Sequence, residues 1–128
     1  MVVVLDEAYT EYLPQEKRYD SIAWVRRYPN LLVSRTFSKA FGLAGLRVGF
    51  AIAQPEQTDL LNRLRQPFNV NTMAQAAAIA ALKDTAFLAK SAEINAAGYR
   101  RLTEGLDLAL SQWVRSAHTV QPAGGVAP

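Results

Sequence analysis

The chain has 128 residues, half of them hydrophobic and a fifth charged, with a net charge of +3. These figures fit one domain of ordinary globular composition. The absence of cysteine excludes disulfides, thiolate metal sites and a thiol nucleophile. With a single histidine as well, we expect no metal site. The basic residues are scattered and no apolar run approaches the roughly 20 residues of a membrane helix, so we expect neither nucleic acid nor membrane as a partner.

The first half of the chain predicts an α/β sheet. Val2–Leu5 is an apolar, β-branched run typical of a strand covered on both faces. The other elements predicted for this half are two strands and two helices: 31–37, 46–53, Ser21 to about Tyr28 with Ser21 as the cap, and Pro55 to about Arg65. The segment between the first two strands is long enough for the crossover that parallel strands require. Parallel pairing would place Asp6 and Lys39 at the carboxyl edge of one sheet, where ligands of α/β proteins bind.

The second half of the chain predicts helices. Thr72–Gln75 fits a capping box in front of an Ala-rich helical stretch. Asp84 could cap a further helix after a short break. Leucines recur at helical spacing between 102 and 113 and form an apolar stripe. The tail, 118–128, is rich in Gly and Pro and has no strong pattern.

Polar and charged residues that can carry chemistry occur in three motifs of the first half: Asp6-Glu7-Ala8-Tyr9, Thr36-Phe37-Ser38-Lys39, and Arg47 within GLRVG. In their contexts DEAY, SRTFSKAFGLAGLRVGF and RQPFNVNTMAQAAA, these motifs resemble pyridoxal-phosphate (PLP) enzymes of fold type I, the aspartate aminotransferase type. Within that group they are most similar to the histidinol-phosphate aminotransferases, over Val2 to about Leu82. The resemblance implies that 1–82 is the C-terminal part of a large PLP-binding domain with a mostly parallel sheet. Residues 83–128 would then be a long helix and the start of a truncated small domain.

The resemblance implies roles for three residues around the cofactor ring. Lys39 would form the Schiff base with the cofactor aldehyde and later move a proton as a base, although most isolated lysines are solvated surface residues. Asp6 would face the pyridinium nitrogen and keep it protonated, and the alternative is a strand-end turn cap. Tyr9 would donate a hydrogen bond to the phenolic oxygen, and the alternative is a half-buried aromatic residue in a loop.

The resemblance also implies a site for the cofactor phosphate. Arg47 would hold this phosphate, since its planar fork matches two oxygens at once. Thr36 and Ser38 flank Lys39 and could add hydroxyl contacts to the same group. For Ser38, ordinary turn chemistry explains the residue equally well.

The activity implied is transamination between histidinol phosphate and 2-oxoglutarate in histidine biosynthesis, by a ping-pong route in a cytoplasmic homodimer. Threonine-phosphate decarboxylase shares the same core motifs and remains an alternative. From a different class, VVVLDEA fits a Walker B strand of an ATPase, with Asp6 for magnesium and Glu7 to activate water. No G-x-x-x-x-G-K-[ST] motif accompanies it, and Tyr9, Lys39 and Arg47 would have no role. A non-catalytic α/β binding module is a third interpretation.

Members of the family are much longer than this chain. The resemblance places a phosphate-binding loop, a ring-stacking aromatic residue and an Asn before Val2, and a substrate-carboxylate arginine after the tail. We therefore expect a fragment, truncated at both ends, with little or no transaminase activity by itself.

Overall fold

The computed structural model describes the backbone of residues 1–118 and the side chains of residues 1–113. The chain divides into two compact units, of which the first spans Met1–Glu93 and the second begins at Ile94. The Gly- and Pro-rich tail after His118 lies outside the described residues. Within the described part of the chain, no helix combines the length and the apolar character that crossing a membrane requires.

One sheet of three strands organises the first unit, in the order β1-β2-β3: Val3–Asp6, Leu31–Thr36 and Gly49–Ile52. β1 and β2 are parallel, with Asp6 opposite Ser34, which confirms the predicted pairing. β3 runs antiparallel to β2, with Thr36 opposite Gly49, so the described sheet is mixed. The third strand is also shorter than the predicted 46–53, because a 3-10 turn over Ala44–Leu46 comes directly before it.

Four α-helices accompany the sheet, and their bounds are Ser21–Arg27 (α1), Pro55–Leu64 (α2), Thr72–Lys83 (α3) and Thr85–His118 (α4). The connection from β1 to α1 contains two single-turn 3-10 helices, Thr10–Tyr12 and Gln15–Lys17. The predicted break between α3 and α4 is confirmed at Asp84. Its side chain caps α4 by accepting a hydrogen bond from Phe87 N at 2.9 Å.

The predicted cap of α1 is wrong by one residue. Asp20 precedes the helix, and its carboxylate accepts a hydrogen bond from Ala23 N at 3.0 Å. Ser21 is the first helical residue, and its hydroxyl instead donates to the buried Glu7. A long-range contact therefore takes the hydroxyl away from the helix end.

The cap of α3 differs from the prediction in the same way. Asn71, not Thr72, accepts the hydrogen bond from Ala74 N, at 2.8 Å. Gln75 does not complete a capping box, because its side-chain amide donates to Val70 O at 3.0 Å. Asn is at least as good a cap as Thr, and the residue nearer the extended connector takes the role.

Two apolar clusters form the core of the first unit. The smaller one packs α1 on the sheet and contains Val25, Leu31 and Val33. The larger one packs the segment after β2 against α3 and contains Phe37, Phe41, Val48, Ala74 and Ala78. The segment that carries Lys39 therefore lies between two residues of the larger apolar cluster, Phe37 and Phe41, which anchor it from both sides.

The described part of the second unit is helical from Ile94 to His118. The predicted helix over the leucine stripe is confirmed. The stripe side chains are themselves largely exposed within the described residues, at 60–69% for Leu102, Leu106, Leu110 and Trp113.

Candidate active site

Strand direction brings the three motifs to one edge of the sheet. β1 ends at Asp6, and β2, which is parallel to it, ends at Thr36 on the same edge. β3 is antiparallel, so its first residue, Gly49, also lies there. The segments that leave β1 and β2 and the segment that enters β3 carry the candidate residues Tyr9, Ser38, Lys39 and Arg47.

The Asp6 carboxylate is exposed and is oriented by two hydrogen bonds. Its Oδ1 accepts from Ala8 N at 3.1 Å and from Ser34 Oγ at 3.3 Å. Both bonds engage the same oxygen, which leaves the second oxygen for another donor. A carboxylate held in this way can accept a hydrogen bond from a cationic ring nitrogen.

Lys39 and Tyr9 lie close together. The Lys39 Nζ is 5.4 Å from the centre of the Tyr9 ring, in the range of a cation–π contact. Lys39 is exposed, and Tyr9 is 60% exposed, so both can reach a ligand. The turn after the lysine is closed by Gly42 N, which donates to Lys39 O at 2.9 Å. Gly42 has a φ of +73°, where an L side chain is strained, and this explains the glycine.

Arg47 approaches the hydroxyl of Ser38. Its Nη1 is 3.5 Å from Ser38 Oγ and donates to Ala44 O at 3.0 Å. The hydroxyl of Thr36 is used within the turn, where Oγ1 accepts from Ser38 N at 3.1 Å. The structure therefore brings the Arg47 and Ser38 side chains together, and it gives Thr36 a turn contact. A guanidinium beside a hydroxyl suits a phosphate.

The backbone of Arg47 is strained. Its φ of +53° lies in the left-handed region, which costs an L-residue roughly 1–2 kcal/mol. Such strain in a non-glycine residue is typical of functional sites, where the surrounding structure holds a side chain in a required place.

The sequence motifs did not reveal a buried cluster behind this edge. Glu7 is 3% exposed, and its Oε2 lies 2.8 Å from Arg35 Nε, 2.7 Å from Arg35 Nη2 and 3.0 Å from Ser21 Oγ. The Glu7 Oε1 is buried and has no hydrogen-bond partner among the described residues. An available signal was the alternation of a strand, which puts Glu7 on the face opposite Asp6.

The candidate residues form a coherent donor set at the edge of the sheet. An amine can take up an aldehyde, a carboxylate can accept from a ring N–H, a phenol can donate to an oxyanion, and a guanidinium can bind phosphate. All of these side chains are exposed or half-buried, so a ligand can contact them. The set fits a phosphorylated aromatic aldehyde such as PLP.

Comparisons with known proteins agree with this chemistry. The family model "Aminotransferase class I and II" matches residues 1–128. Histidinol-phosphate aminotransferase 2 of Ralstonia nicotianae is 76% identical over 104 residues, which are 81% of this chain and 28% of that protein. Histidinol-phosphate aminotransferase 1 of Cupriavidus pinatubonensis is 68% identical over 117 residues, 91% of this chain and 31% of the relative. This chain thus spans 28–31% of the length of these two relatives.

A solved structure has the same fold. The histidinol-phosphate aminotransferase of Sinorhizobium meliloti, in complex with pyridoxal-5'-phosphate, superimposes with a TM-score of 0.70 at 35% sequence identity. The match covers 79% of this chain and 27% of that one. The α/β fold expected from the sequence is therefore confirmed as that of a fold type I aminotransferase.

Proposed function

The chain belongs to the class I and II aminotransferase family, and from this premise we propose that it carries part of the active site of a PLP-dependent aminotransferase. Membership in this family excludes the Walker B interpretation of its first strand. The observation that carries the proposal is the convergence of Asp6, Lys39 and Arg47 at one edge of the sheet. The names of the similar proteins support histidinol phosphate as the amino donor. The sequence resemblance adds 2-oxoglutarate as the acceptor, in histidine biosynthesis.

Lys39 and Asp6 have the central roles in this proposal. When bound, the pyridoxal ring supplies an electron sink for the carbon that carries the substrate's amino group. Lys39 holds the cofactor through its Nζ, and as a free amine it accepts the proton from that substrate carbon. Asp6 accepts a hydrogen bond from the ring nitrogen and stabilises its protonated form. The Ser34 and Ala8 contacts on Oδ1 support this role because they fix the carboxylate.

Tyr9 and the phosphate-binding residues complete the cofactor site. Tyr9 donates its phenolic O–H to the ring oxygen next to the linkage, which its position beside Lys39 supports. Arg47 and Ser38 bind the phosphate, as their close approach supports. Thr36 stabilises the turn that presents Ser38, because its Oγ1 accepts a hydrogen bond from Ser38 N.

The proposal extends to the organisation of the whole protein. Residues 1–82 belong to the large PLP-binding domain, and 83–128 are the long helix and the start of the small domain. The partners are a small-molecule amino donor and a 2-oxo acid acceptor. The protein works as a cytoplasmic homodimer, as is general for the aminotransferases that this chain resembles.

Covalent capture of PLP tests the cofactor assignment. The purified chain is mixed with PLP, its visible absorbance is recorded, and the linkage is reduced with borohydride and located by peptide mapping. We expect a visible band and a reduced adduct on Lys39. Lys39→Ala should lose both, and Lys83→Ala, which removes a lysine at the end of α3, should keep both. An unchanged band in Lys39→Ala would contradict the assignment.

A half-reaction tests the substrate class without a second substrate, and it needs only one conversion per bound PLP, which a chain with little sustained turnover can still show. The PLP-loaded protein is mixed with histidinol phosphate, and the cofactor is analysed by chromatography. Transamination converts PLP to its amine form and histidinol phosphate to the corresponding ketone. Release of CO2 from threonine phosphate, with PLP unchanged, would instead favour the decarboxylase alternative.

A further inference from the structure

The loop that carries Tyr9 is closed at its base by buried side chains. It starts after Glu7 and ends before Ser21, and the Ser21 hydroxyl donates to Glu7 Oε2 at 3.0 Å. Arg35, on β2, adds two contacts to the same oxygen, at 2.8 and 2.7 Å, and its Nη2 is 3.4 Å from Ser21 Oγ. Glu7 and Ser21 are 3% and 1% exposed, and the Arg35 side chain that covers them is 25% exposed. We name these three residues the buried cluster.

The buried cluster lies beside the candidate active site without belonging to it. Ser34 bonds to Asp6, and the next residue on β2, Arg35, bonds to Glu7. Because successive side chains of a strand point to opposite faces, the two contacts lie on opposite sides of the sheet. Asp6 and Glu7 are thus each hydrogen-bonded to one of two consecutive residues of β2.

Stability alone explains the buried cluster poorly. Burying a carboxylate is costly, and a buried ion pair often contributes no more than apolar residues of the same size would. The Glu7 Oε1 adds to this cost, because it is buried and makes no hydrogen bond within the described residues. Fixing one arrangement of neighbouring segments is the better attested use of such a pair.

We propose that Glu7, Arg35 and Ser21 act as positioning residues that set Asp6 and Tyr9 relative to Lys39. Glu7 follows Asp6 in the sequence, and the hydrogen bond from Ser21 to its carboxylate closes the loop that carries Tyr9. Arg35 precedes the turn that leads to Lys39, so its bond to Glu7 links the two segments. The inference rests on the proposed function for what the positioned residues do.

Two variants of the buried cluster and one matched control test this role. Glu7→Gln removes the charge and keeps the shape, and Ser21→Ala removes only the bond that closes the loop. Asp59→Asn makes the same carboxylate-to-amide change in an exposed ion pair of α2, with Arg63. Two readouts are used at a temperature where every variant is folded: tryptic cleavage of the cofactor-free chain after Lys17 and Arg18, and PLP retention together with the wavelength of its visible band.

We expect Glu7→Gln to be cleaved about tenfold faster in the loop and to retain PLP about tenfold less well, with a shifted band, because a charge-assisted contact is lost. Ser21→Ala should change both quantities in the same direction by about threefold. Asp59→Asn should have the same loop cleavage rate, PLP retention and band wavelength as the unaltered chain. Lower thermal stability of Glu7→Gln with unchanged loop cleavage, PLP retention and band would overturn the inference, since it would mean a merely structural role.

The outcomes separate this inference from the proposed function. If Glu7→Gln does not fold, Ser21→Ala decides: faster loop cleavage supports positioning, and an unchanged rate overturns it. If the unaltered chain captures no PLP on Lys39, the proposed function fails. The cleavage measurement on the cofactor-free chain still decides whether the buried cluster holds the loop of Tyr9.

Discussion

Arg47 combines a strained backbone with a proposed phosphate-binding side chain, and two substitutions separate these properties. Arg47→Ala removes the guanidinium but leaves an L-residue at a φ of +53°. Arg47→Gly removes the guanidinium and also relieves the strain, because glycine adopts the left-handed region without a steric penalty. We therefore expect the glycine variant to be the more stable of the two, and both to lose the preference for a phosphorylated cofactor.

The magnitude of the stability difference follows from two opposing effects. The left-handed conformation costs alanine roughly 1–2 kcal/mol. Glycine avoids that cost, but its unfolded chain gains about 0.5–1 kcal/mol of conformational entropy. The side-chain contacts cancel, because both variants lose the bonds from Arg47 to Ala44 and Ser38. Taking the midpoints of these two ranges, we expect the free energy of unfolding of Arg47→Gly to exceed that of Arg47→Ala by about 0.75 kcal/mol.

Urea denaturation and cofactor competition measure the two effects. With a urea slope of about 1.5 kcal/mol/M, the midpoints of the two variants should differ by about 0.5 M. Phe68 provides a matched control, since its φ is +55° and it is 98% exposed. The free energy of unfolding of Phe68→Gly should exceed that of Phe68→Ala by a similar amount. Retention of PLP relative to pyridoxal should fall about tenfold or more in both Arg47 variants and stay unchanged in both Phe68 variants.

Two results would refute this reasoning. An Arg47→Ala variant as stable as Arg47→Gly, with the expected difference at Phe68, would mean that the Arg47 backbone is not strained in solution. An unchanged preference for PLP over pyridoxal in both Arg47 variants would mean that another residue binds the phosphate.

Three further predictions concern the frame around the site, each checked by urea denaturation. Asn71→Ala should lower the free energy of unfolding by about 1 kcal/mol and Thr72→Ala by less than about 0.5 kcal/mol, and the reverse order would restore Thr72 as the cap. Gly49→Ala should cost about 1–3 kcal/mol, because the added Cβ would lie 2.8 Å from Arg35 O, and a neutral effect would mean that β2 and β3 separate easily. Asp84→Ala should cost about 1 kcal/mol and speed amide exchange in the first turn of α4; unchanged exchange would count against Asp84 as its cap.

The parallel pairing of β1 and β2, and with it the edge of the sheet at which the candidate residues lie, could be predicted from local pattern. Val2–Leu5 is apolar throughout, as a covered strand requires, and the next strand is far enough along the chain for a crossover. The direction of β3 could not be predicted in this way. It depends on the turn before Gly49, where Arg47 adopts a left-handed conformation that arginine rarely takes and that no motif signals.

The helix caps show where local pattern stops being sufficient. At each of two helix starts, two adjacent residues could serve as the cap, and propensity does not separate them clearly. At α1 the choice depends on Glu7, whose carboxylate takes the Ser21 hydroxyl across 14 positions of sequence. Asp20 is left to cap the helix. Such a contact depends on the register of the sheet, and the local sequence at the start of the helix carries no information about that register.

The sequence indicated the candidate site residues, but it did not indicate the contacts that hold them in place. The motifs identify Asp6, Lys39 and Arg47 through their resemblance to PLP enzymes, whose aldehyde and phosphate chemistry needs those functional groups. The pairing of Glu7 with Arg35 joins positions 28 apart, and it depends on which face of β2 each residue occupies. A single-residue slip of β1 against β2 would move Glu7 to the face of Asp6 and break both contacts.

This dependence on register gives the buried cluster a consequence for the site as a whole. Asp6 is the last residue of β1 and Lys39 lies in the segment after β2, and the described contacts of their own side chains do not join them to each other. Their relative position is therefore set by what fixes β1 against β2, which is the backbone pairing together with the contacts of Ser34 and Arg35 on the two faces. The Ser34 contact lies on the face of Asp6, and the Arg35 contact with Glu7 on the opposite face helps to keep the two strands in that register. A substitution that never touches the cofactor can thus change how tightly the cofactor is held.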